Sequence, residues 1–194
     1  MLDIGAHWLH QSVVYANEGV EVTAAELPTI LNAPVVRPVA EEYDIKLFSY
    51  SDLSTPEVFD KLPENHFDLI LFAEIMEHIT FNPVDMWKAI FRVMKPGGKI
   101  ILTTPNYYHI GGRAWDFKRF LFRSGGGITP EEILNVPTYG PHWKEFSANE
   151  IRNYFKLLSP DFKISEIRHA SISYVQPQNL RQKFQCKLES LFPL

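Results

Sequence analysis

The stretch His66–Ile79, HFDLILFAEIMEHI, decides the fold, because an apolar segment runs directly into a cluster of charged side chains. Phe67–Ala73 is apolar apart from Asp68, which is the pattern of a strand covered on both faces in a parallel sheet. The next polar side chains fall at positions i, i+3 and i+4, which predicts one face of a helical turn. They are Glu74, Glu77 and His78. Ligands bind at the carboxyl ends of strands in such sheets, so the stretch predicts a site as well as a fold.

The composition is that of one globular domain spanning residues 1–194, with 45% hydrophobic and 22% charged residues. A net charge of −4 disfavours nucleic acid or a membrane surface as a general partner, although a local basic patch leaves nucleic acid open. The single cysteine, Cys186, indicates a reducing compartment. No apolar run reaches the roughly 20 residues of a membrane span, and no apolar leader is visible. We therefore expect a cytoplasmic protein.

Strands and helical segments alternate along the first half of the chain. The predicted strands are Met1–Gly5, Val20–Glu26, Ile45–Ser49, Phe67–Ala73 and Lys99–Thr103. Helices are predicted within His7–Asn17 and over Pro83–Lys95, the latter capped by Asn82 and ended by Pro96–Gly98. The link between the second and third strands contains three prolines and allows only a short or irregular helix. This order predicts an α/β fold with a doubly wound, mainly parallel, Rossmann-like sheet.

The second half is less regular. Residues 107–141 have weak periodicity and many glycines and aromatics, which predicts a lid or substrate insertion. Ser147 and Glu150 form a capping-box pattern at the start of a helix. Late strands are predicted over Phe162–Ile167 and Ala170–Val175, and a terminal amphipathic helix over Leu180–Leu191.

Four places in the chain resemble the class I S-adenosylmethionine-dependent methyltransferases. They are the turn LDIGA at Leu2–Ala6, Glu26, Asp52, and the run Phe67–Asn106 with FDLILFAEIMEHI and MKPGGKIILTTPN. The resemblance implies S-adenosyl-L-methionine as cofactor, with Glu26 on the ribose hydroxyls and Asp52 facing the adenine amino group. The implied cofactor-binding residues are Asp3, Gly5, Glu26, Asp52, Leu53 and Glu74. Alone, an acid at a strand end is more often solvated, and Asp52 could cap a helix over Ser54–Phe59.

The chain departs from this family in its first loop. The family usually carries two further glycines after Gly5, where this chain has His7 and Leu9, with Trp8 between them. Either the loop is rearranged around a bound cofactor, or binding is weak or lost. We expect retained binding, because Glu26 and Asp52 are both present.

The EIMEH run also resembles the metal-dependent branch found in small-RNA 2′-O-methyltransferases and ubiquinone-pathway O-methyltransferases. This implies a divalent metal, Mg or Mn, held by four ligands. They are Glu74, Glu77, His78 and the later His142. His109 is a second candidate that could instead contact substrate or act as a base, and His109 and His142 are the candidate catalytic residues. In a metal-free alternative, Glu74 lines the cofactor pocket, Glu77 is solvated and His78 packs against loops.

We expect an O-methyltransferase that acts on a hydroxyl of a small polar acceptor, such as a sugar or a sugar-containing metabolite. One alternative is a catalytically silent, methyltransferase-like binding module, and another is a metal-dependent RNA 2′-O-methyltransferase. The lid carries basic residues interleaved with aromatics, which predicts either an amphipathic cap or a nucleic-acid surface. A nicotinamide-dependent dehydrogenase is disfavoured, because Gly5 lacks the full glycine fingerprint.

The ends of the chain differ from the family as well. The family generally carries a helix before the first strand and a final antiparallel strand, neither of which the sequence shows. We therefore expect a chain shortened at both ends, as a fragment, as a shortened natural form, or with its sheet edge covered by a partner, as in a homodimer.

Overall fold

The computed structural model describes residues 1–55, 57–106, 142–144 and 146–168. The chain divides into two compact units, Met1–Thr104 and Pro105–Leu194. The first unit holds the sheet. Several predictions lie outside the described residues: His109, the lid 107–141, the strand Ala170–Val175 and the helix Leu180–Leu191.

The first unit is a parallel sheet with helices in its connections. Its elements are β1 Leu2–Ile4, α1 His10–Asn17, β2 Thr23–Glu26, α2 Pro28–Leu31, α3 Val36–Glu42, β3 Lys46–Ser49, β4 Phe67–Ala73, a 3-10 helix Met76–His78, α4 Val84–Val93 and β5 Met94–Thr103. The strand order is β3-β2-β1-β4-β5, and every neighbouring pair is parallel. This confirms the predicted α/β fold and its doubly wound sheet. The strand order reverses between β1 and β4, which is the point where such sheets bind ligands.

The chain passes directly from α4 into β5, earlier than predicted. The helix ends at Val93 and the strand begins at Met94, so the proline and glycines lie inside the strand rather than between the two elements. Met94 pairs with Phe67, and the ladder resumes only at Lys99 opposite Leu69. The residues between them form a bulge, which accommodates a proline that cannot donate to a regular ladder.

Helix α4 supplies the main packing on one face of the sheet. Its buried residues are Met86, Trp87, Ala89, Ile90 and Val93. Trp87 is 1% exposed, and its ring lies 5.3 Å from that of Phe72 on β4. A separate cluster, which includes Leu9, Val22, Val36 and Leu71, forms another part of the core.

The described part of the second unit contains one helix, α5, at Ala148–Leu158. The predicted capping box is confirmed, because the Ser147 hydroxyl accepts from the Glu150 N–H and the Glu150 carboxylate accepts from the Ser147 N–H. The predicted strand over Phe162–Ile167 is wrong, since residues 161–168 contain no strand. An alternating segment needs a neighbouring strand to pair with, and the described residues provide none beside it. No helix in the described ranges is long and apolar enough to span a membrane.

Truncating Trp87 to alanine should lower the free energy of unfolding by about 3–5 kcal/mol, because it removes a fully buried ring between α4 and β4. Urea unfolding followed by circular dichroism measures the loss. The matched control is Phe91→Ala on the same helix, where the side chain is 47% exposed and the cost should stay below about 1 kcal/mol. Equal losses for the two variants would contradict this account of the core.

Candidate cofactor and metal site

The candidate site lies where β1, β2, β4 and β5 end. The Gly5 N–H donates to the Ala25 carbonyl at 2.9 Å, so the turn after β1 lies beside the end of β2. The Glu74 N–H donates to the Thr103 carbonyl at 2.9 Å, which joins the residue after β4 to the end of β5. The sheet therefore brings the acids and the glycine turn that the sequence singled out to one edge.

Gly5 has a φ of +71°, a conformation that disfavours other residues. A Cβ atom built on it would lie 2.5 Å from Cδ1 of Ile75, which follows β4. Glycine is therefore needed at this turn for its backbone angle and for the close approach of Ile75. The turn lies at the reversal point between β1 and β4.

The loop after Gly5 keeps a glycine-like backbone without glycines. His7 and Leu9 have φ values of 46° and 66°, in the left-handed region where side chains cost about 1–2 kcal/mol each. These are the positions where the resembled family usually has glycine. Leu9 is fully buried, whereas Trp8 between them is 49% exposed. The loop thus retains the backbone conformation that glycine favours. Of the two side chains that stand in place of glycine, that of Leu9 is buried in the core.

Both oxygens of the Glu26 carboxylate accept hydrogen bonds from the main chain. Its Oε2 accepts from the His7 N–H at 2.8 Å, and its Oε1 accepts from the Leu27 N–H at 2.7 Å. The residue is only 6% exposed. Each oxygen of an ionised carboxylate can accept two hydrogen bonds, so each retains capacity for a ribose hydroxyl. The arrangement fits the ribose-binding role that the resemblance implies.

Asp3 is a buried acid at the same end of the sheet. It is 2% exposed, and its Oδ2 accepts a hydrogen bond of 2.6 Å from the Ser12 hydroxyl. Burial raises the pKa of Asp3 to about 6, while the Ser12 hydrogen bond acts against the shift and the Glu26 charge adds to it. Tyr50 is buried nearby, and burial, Glu26 and Asp3 together raise its pKa. Sequence reasoning missed both Ser12 and Tyr50, and only the position of Ser12 on the helix after the glycine turn hinted at its role.

Asp52 and Leu53 lie in the half-buried turn after β3. The Ser54 N–H donates to Asp52 Oδ1 at 2.8 Å, and the Thr55 hydroxyl donates to the Asp52 carbonyl at 2.9 Å. The described residues of Ser54–Phe59 form turns, so the helix offered as an alternative for this segment is absent from them. Asp52 organises its own turn, and its adenine-binding role stays a prediction.

The predicted helical face of Glu74, Glu77 and His78 is wrong for Glu74. The backbone of Glu74 is left-handed, with φ 55°, and the 3-10 helix starts only at Met76. Glu74 is therefore exposed outside the helix, whereas Glu77 and His78 share one turn. The i, i+3, i+4 rule failed here because the chain turns sharply before it becomes helical.

Glu77 is the most buried acid of the site, at 1% exposure, so the metal-free expectation of a solvated Glu77 is wrong. Its Oε2 accepts from the Thr104 hydroxyl at 2.9 Å, and its Oε1 lies 3.9 Å from Nε2 of His78. Among the described residues, Oε1 has no hydrogen-bond partner. Burial raises the pKa of Glu77, against the lowering effects of the Thr104 hydrogen bond and of His78. Thr104 could have been found from the sequence, because it follows the strand beside β4.

A buried carboxylate oxygen without a donor costs free energy. A divalent cation would offset that cost, and a carboxylate oxygen with an imidazole nitrogen is a donor set that such cations accept. Glu77 and His78 therefore fit a metal. His142 belongs to the second unit and is half-buried, five residues before the cap of α5 at Ser147. The roles of His142 and of His109 stay predictions.

Comparison with known proteins gives the family. Residues 2–185 match the family described as a methyltransferase domain. A ubiquinone biosynthesis O-methyltransferase of Pseudomonas fluorescens is 26% identical, over 75% of this chain and 71% of that protein. The corresponding Pseudomonas aeruginosa protein is 28% identical, over 78% and 73%.

Two solved structures resemble the fold. A SAM-dependent methyltransferase from Archaeoglobus fulgidus has a TM-score of 0.51 at 16% identity, covering 98% of this chain and 77% of that one. A second solved structure, described by the conversion of a disulfide bond into a thioacetal group during echinomycin biosynthesis, has a TM-score of 0.52 at 18% identity. The match covers 79% of this chain and 59% of that one. The chain spans smaller shares, between 30% and 57%, of several other matched structures.

The fold is thus that of a class I, S-adenosylmethionine-dependent methyltransferase, and the predicted class and cofactor are confirmed. The chain belongs to the methyltransferase domain family. The prediction of an enzyme is confirmed with it.

Glycine substitutions in the loop after β1 test the left-handed backbone conformation of His7 and Leu9. His7→Gly should leave the free energy of unfolding unchanged or raise it by up to about 1 kcal/mol, because relief of the left-handed strain offsets the added chain entropy of glycine. Leu9→Gly is the matched variant, and it should lose about 2 kcal/mol or more because it also removes a fully buried side chain. Chemical denaturation separates the two, and a His7→Gly loss as large as that of Leu9→Gly would contradict the assigned backbone.

Proposed function

We propose that the protein transfers a methyl group from S-adenosylmethionine to a hydroxyl oxygen of a small polar acceptor, most simply a sugar or a sugar-containing metabolite. The observation that carries the proposal is the buried Glu77 carboxylate, which lies beside His78 with one oxygen lacking a donor in the described residues. This pair follows β4, next to the reversal point of the strand order. Curated relatives that are O-methyltransferases by name support an oxygen acceptor.

The cofactor is bound by the ends of the first three strands in this proposal. Gly5 allows close approach of the ligand, Glu26 accepts from the ribose hydroxyls, and Asp52 and Leu53 contact the adenine. Asp3 supplies negative charge near the cationic end of the cofactor. When bound, S-adenosylmethionine supplies an electrophilic methyl group, and the protein aligns the acceptor oxygen with it.

The metal ligands in the proposal are Glu77 and His78, completed by Glu74 and His142 as the sequence predicts. A bound divalent ion, Mg or Mn, would lower the pKa of an acceptor hydroxyl and fix two neighbouring hydroxyls in place. A vicinal diol is therefore the expected acceptor, and sugars contain this group. The Glu77 carboxylate is itself shielded from water, since the residue is 1% exposed.

Methylation of a hydroxyl releases one proton, so the chain must provide a group that takes it. Histidine is suited to this role near neutral pH. We propose His109 or His142 as the base, with the other orienting the acceptor. Both assignments come from the sequence motifs in which these histidines lie.

Cofactor binding is tested by isothermal titration with S-adenosylmethionine. Glu26→Gln should weaken binding by roughly 10-fold to 100-fold, because a charge-assisted hydrogen bond contributes about 1.5–3 kcal/mol. The control is Glu21→Gln, whose side chain is 93% exposed two residues before β2 starts and which should bind as the wild type does. No heat from the wild type at high cofactor concentration would support the silent binding module instead. Mass spectrometry of acceptors incubated with labelled cofactor identifies the methylated atom, and label found in RNA rather than in diols would overturn the small-acceptor assignment.

Metal dependence is tested by replacing Glu77 and His78, the two proposed ligands whose side chains approach to 3.9 Å. Glu77→Ala and His78→Ala should each lower methyl transfer by about 100-fold or more, in line with the loss of a metal that activates the nucleophile. A chelator should abolish wild-type activity, and Mg or Mn should restore it, with manganese binding followed by electron paramagnetic resonance. Glu57→Ala, at an exposed position, is the control. Full wild-type activity in chelator would remove the metal from the proposal.

A further inference from the structure

Three polar side chains surround Asp3 in the first unit, and together with Asp3 they are called the Asp3 cluster. Its members are Asp3 on β1, Ser12 on α1, Glu26 on β2 and Tyr50 directly after β3. All four are buried. The metal proposal uses none of them, and Ser12 and Tyr50 have no role in the cofactor proposal either.

Ser12 is unusual for a buried helical position. It is 0% exposed, and it is the one fully buried residue of α1. Alanine would fill a similar volume there with higher helix propensity and without burying a hydroxyl. In the described structure the Ser12 hydroxyl donates to Asp3 Oδ2 at 2.6 Å, which is short for such a bond and fits a charged acceptor.

We propose that Ser12 is a positioning residue of the cofactor site, whose buried hydroxyl orients the Asp3 carboxylate for the cationic end of S-adenosylmethionine. The inference rests on the proposed function, since it assumes that Asp3 contributes to cofactor binding. It adds a residue on α1 that does not touch the cofactor and acts through Asp3. Ser12 thereby joins the helix after the glycine turn to the chemistry at the end of β1.

The charged surroundings make this hydrogen bond consequential. Burial is the main influence on Asp3, and the Glu26 carboxylate opposes its ionisation further. Burial raises the pKa of Tyr50, and the charges of the same two acids add to the shift. Within the described residues, the Ser12 hydroxyl is therefore the group of this cluster that favours the ionised form.

The affinity for the cofactor should depend on pH through the ionisation of Asp3. The pKa of Asp3 in the folded protein is about 6, so cofactor binding should weaken as the pH falls through that value. Ser12→Ala removes the favourable hydrogen bond and should move the titration of Asp3 upward. Binding should then be about threefold weaker than wild type at pH 6.5 and nearly unchanged at pH 8.5, where Asp3 is ionised in both proteins.

Two measurements test the proposal. Carbon-detected NMR of the aspartate carboxyls, without cofactor, gives the pKa of Asp3 in wild type, Ser12→Ala and Ser12→Thr, with Asp3→Asn to assign the resonance. Titration calorimetry gives the dissociation constant of S-adenosylmethionine between pH 5.5 and 8.5 in the same proteins. We expect the upward pKa and the pH-selective loss in Ser12→Ala, and recovery of both in Ser12→Thr, which restores the hydroxyl.

The outcomes separate the two proposals. An Asp3 pKa unchanged in Ser12→Ala, or an affinity loss equal at pH 6.5 and 8.5, would overturn the positioning role and leave the proposed function standing. No binding by the wild type at any pH would remove the proposed function and this inference with it. If Ser12→Thr does not fold, the comparison of wild type with Ser12→Ala decides, because the upward shift of the Asp3 pKa and the pH-selective loss of affinity are both measured without the restored hydroxyl.

Discussion

Two main-chain hydrogen bonds to the Glu26 carboxylate hold the candidate site together. The N–H groups of His7 and Leu27 bind its two oxygens, so the loop after β1 is tied to the end of β2. Parallel strands place all their carboxyl ends at one edge, but this only brings the loops near one another. The bonds to Glu26 set the path of the first loop, and the left-handed backbone of His7 is the conformation that this path requires.

The site concentrates buried acids, which is costly for the folded state and typical of functional sites. Burial raises the pKa of both Asp3 and Glu77. Each acid has a hydroxyl donor that partly compensates, Ser12 for Asp3 and Thr104 for Glu77. The two acids lie on either side of the reversal between β1 and β4, at the first and fourth strands. In the proposed function, Asp3 serves the cofactor and Glu77 serves the acceptor, so the two roles fall on opposite sides of this reversal.

Features set by local chemistry could be predicted from the sequence. The bounds of β4 at Phe67–Ala73 are confirmed because a continuous apolar run leaves little choice, and the capping box at Ser147 is confirmed because its two hydrogen bonds are local. Features that depend on distant neighbours could not be predicted. The early start of β5 at Met94 depends on pairing with Phe67, and the burial of Glu77 depends on what packs over the turn after β4. The Ser12 hydrogen bond joins a helix to a strand, which no spacing rule reports.

The burial of Leu9 has a consequence for the motion of the first loop. A glycine at this position could leave its place without exposing any side chain, so a loop of glycines can open freely. Here an opening that lifts Leu9 would expose a fully buried leucine, at a cost of about 1.5–3 kcal/mol. The open form would then hold between roughly 1% and 8% of the molecules, since 1.4 kcal/mol is a tenfold change in an equilibrium. The cofactor would therefore bind a loop that is already ordered. The conformational entropy of ordering this loop is lost when the protein folds, so it does not reduce the binding free energy of the cofactor.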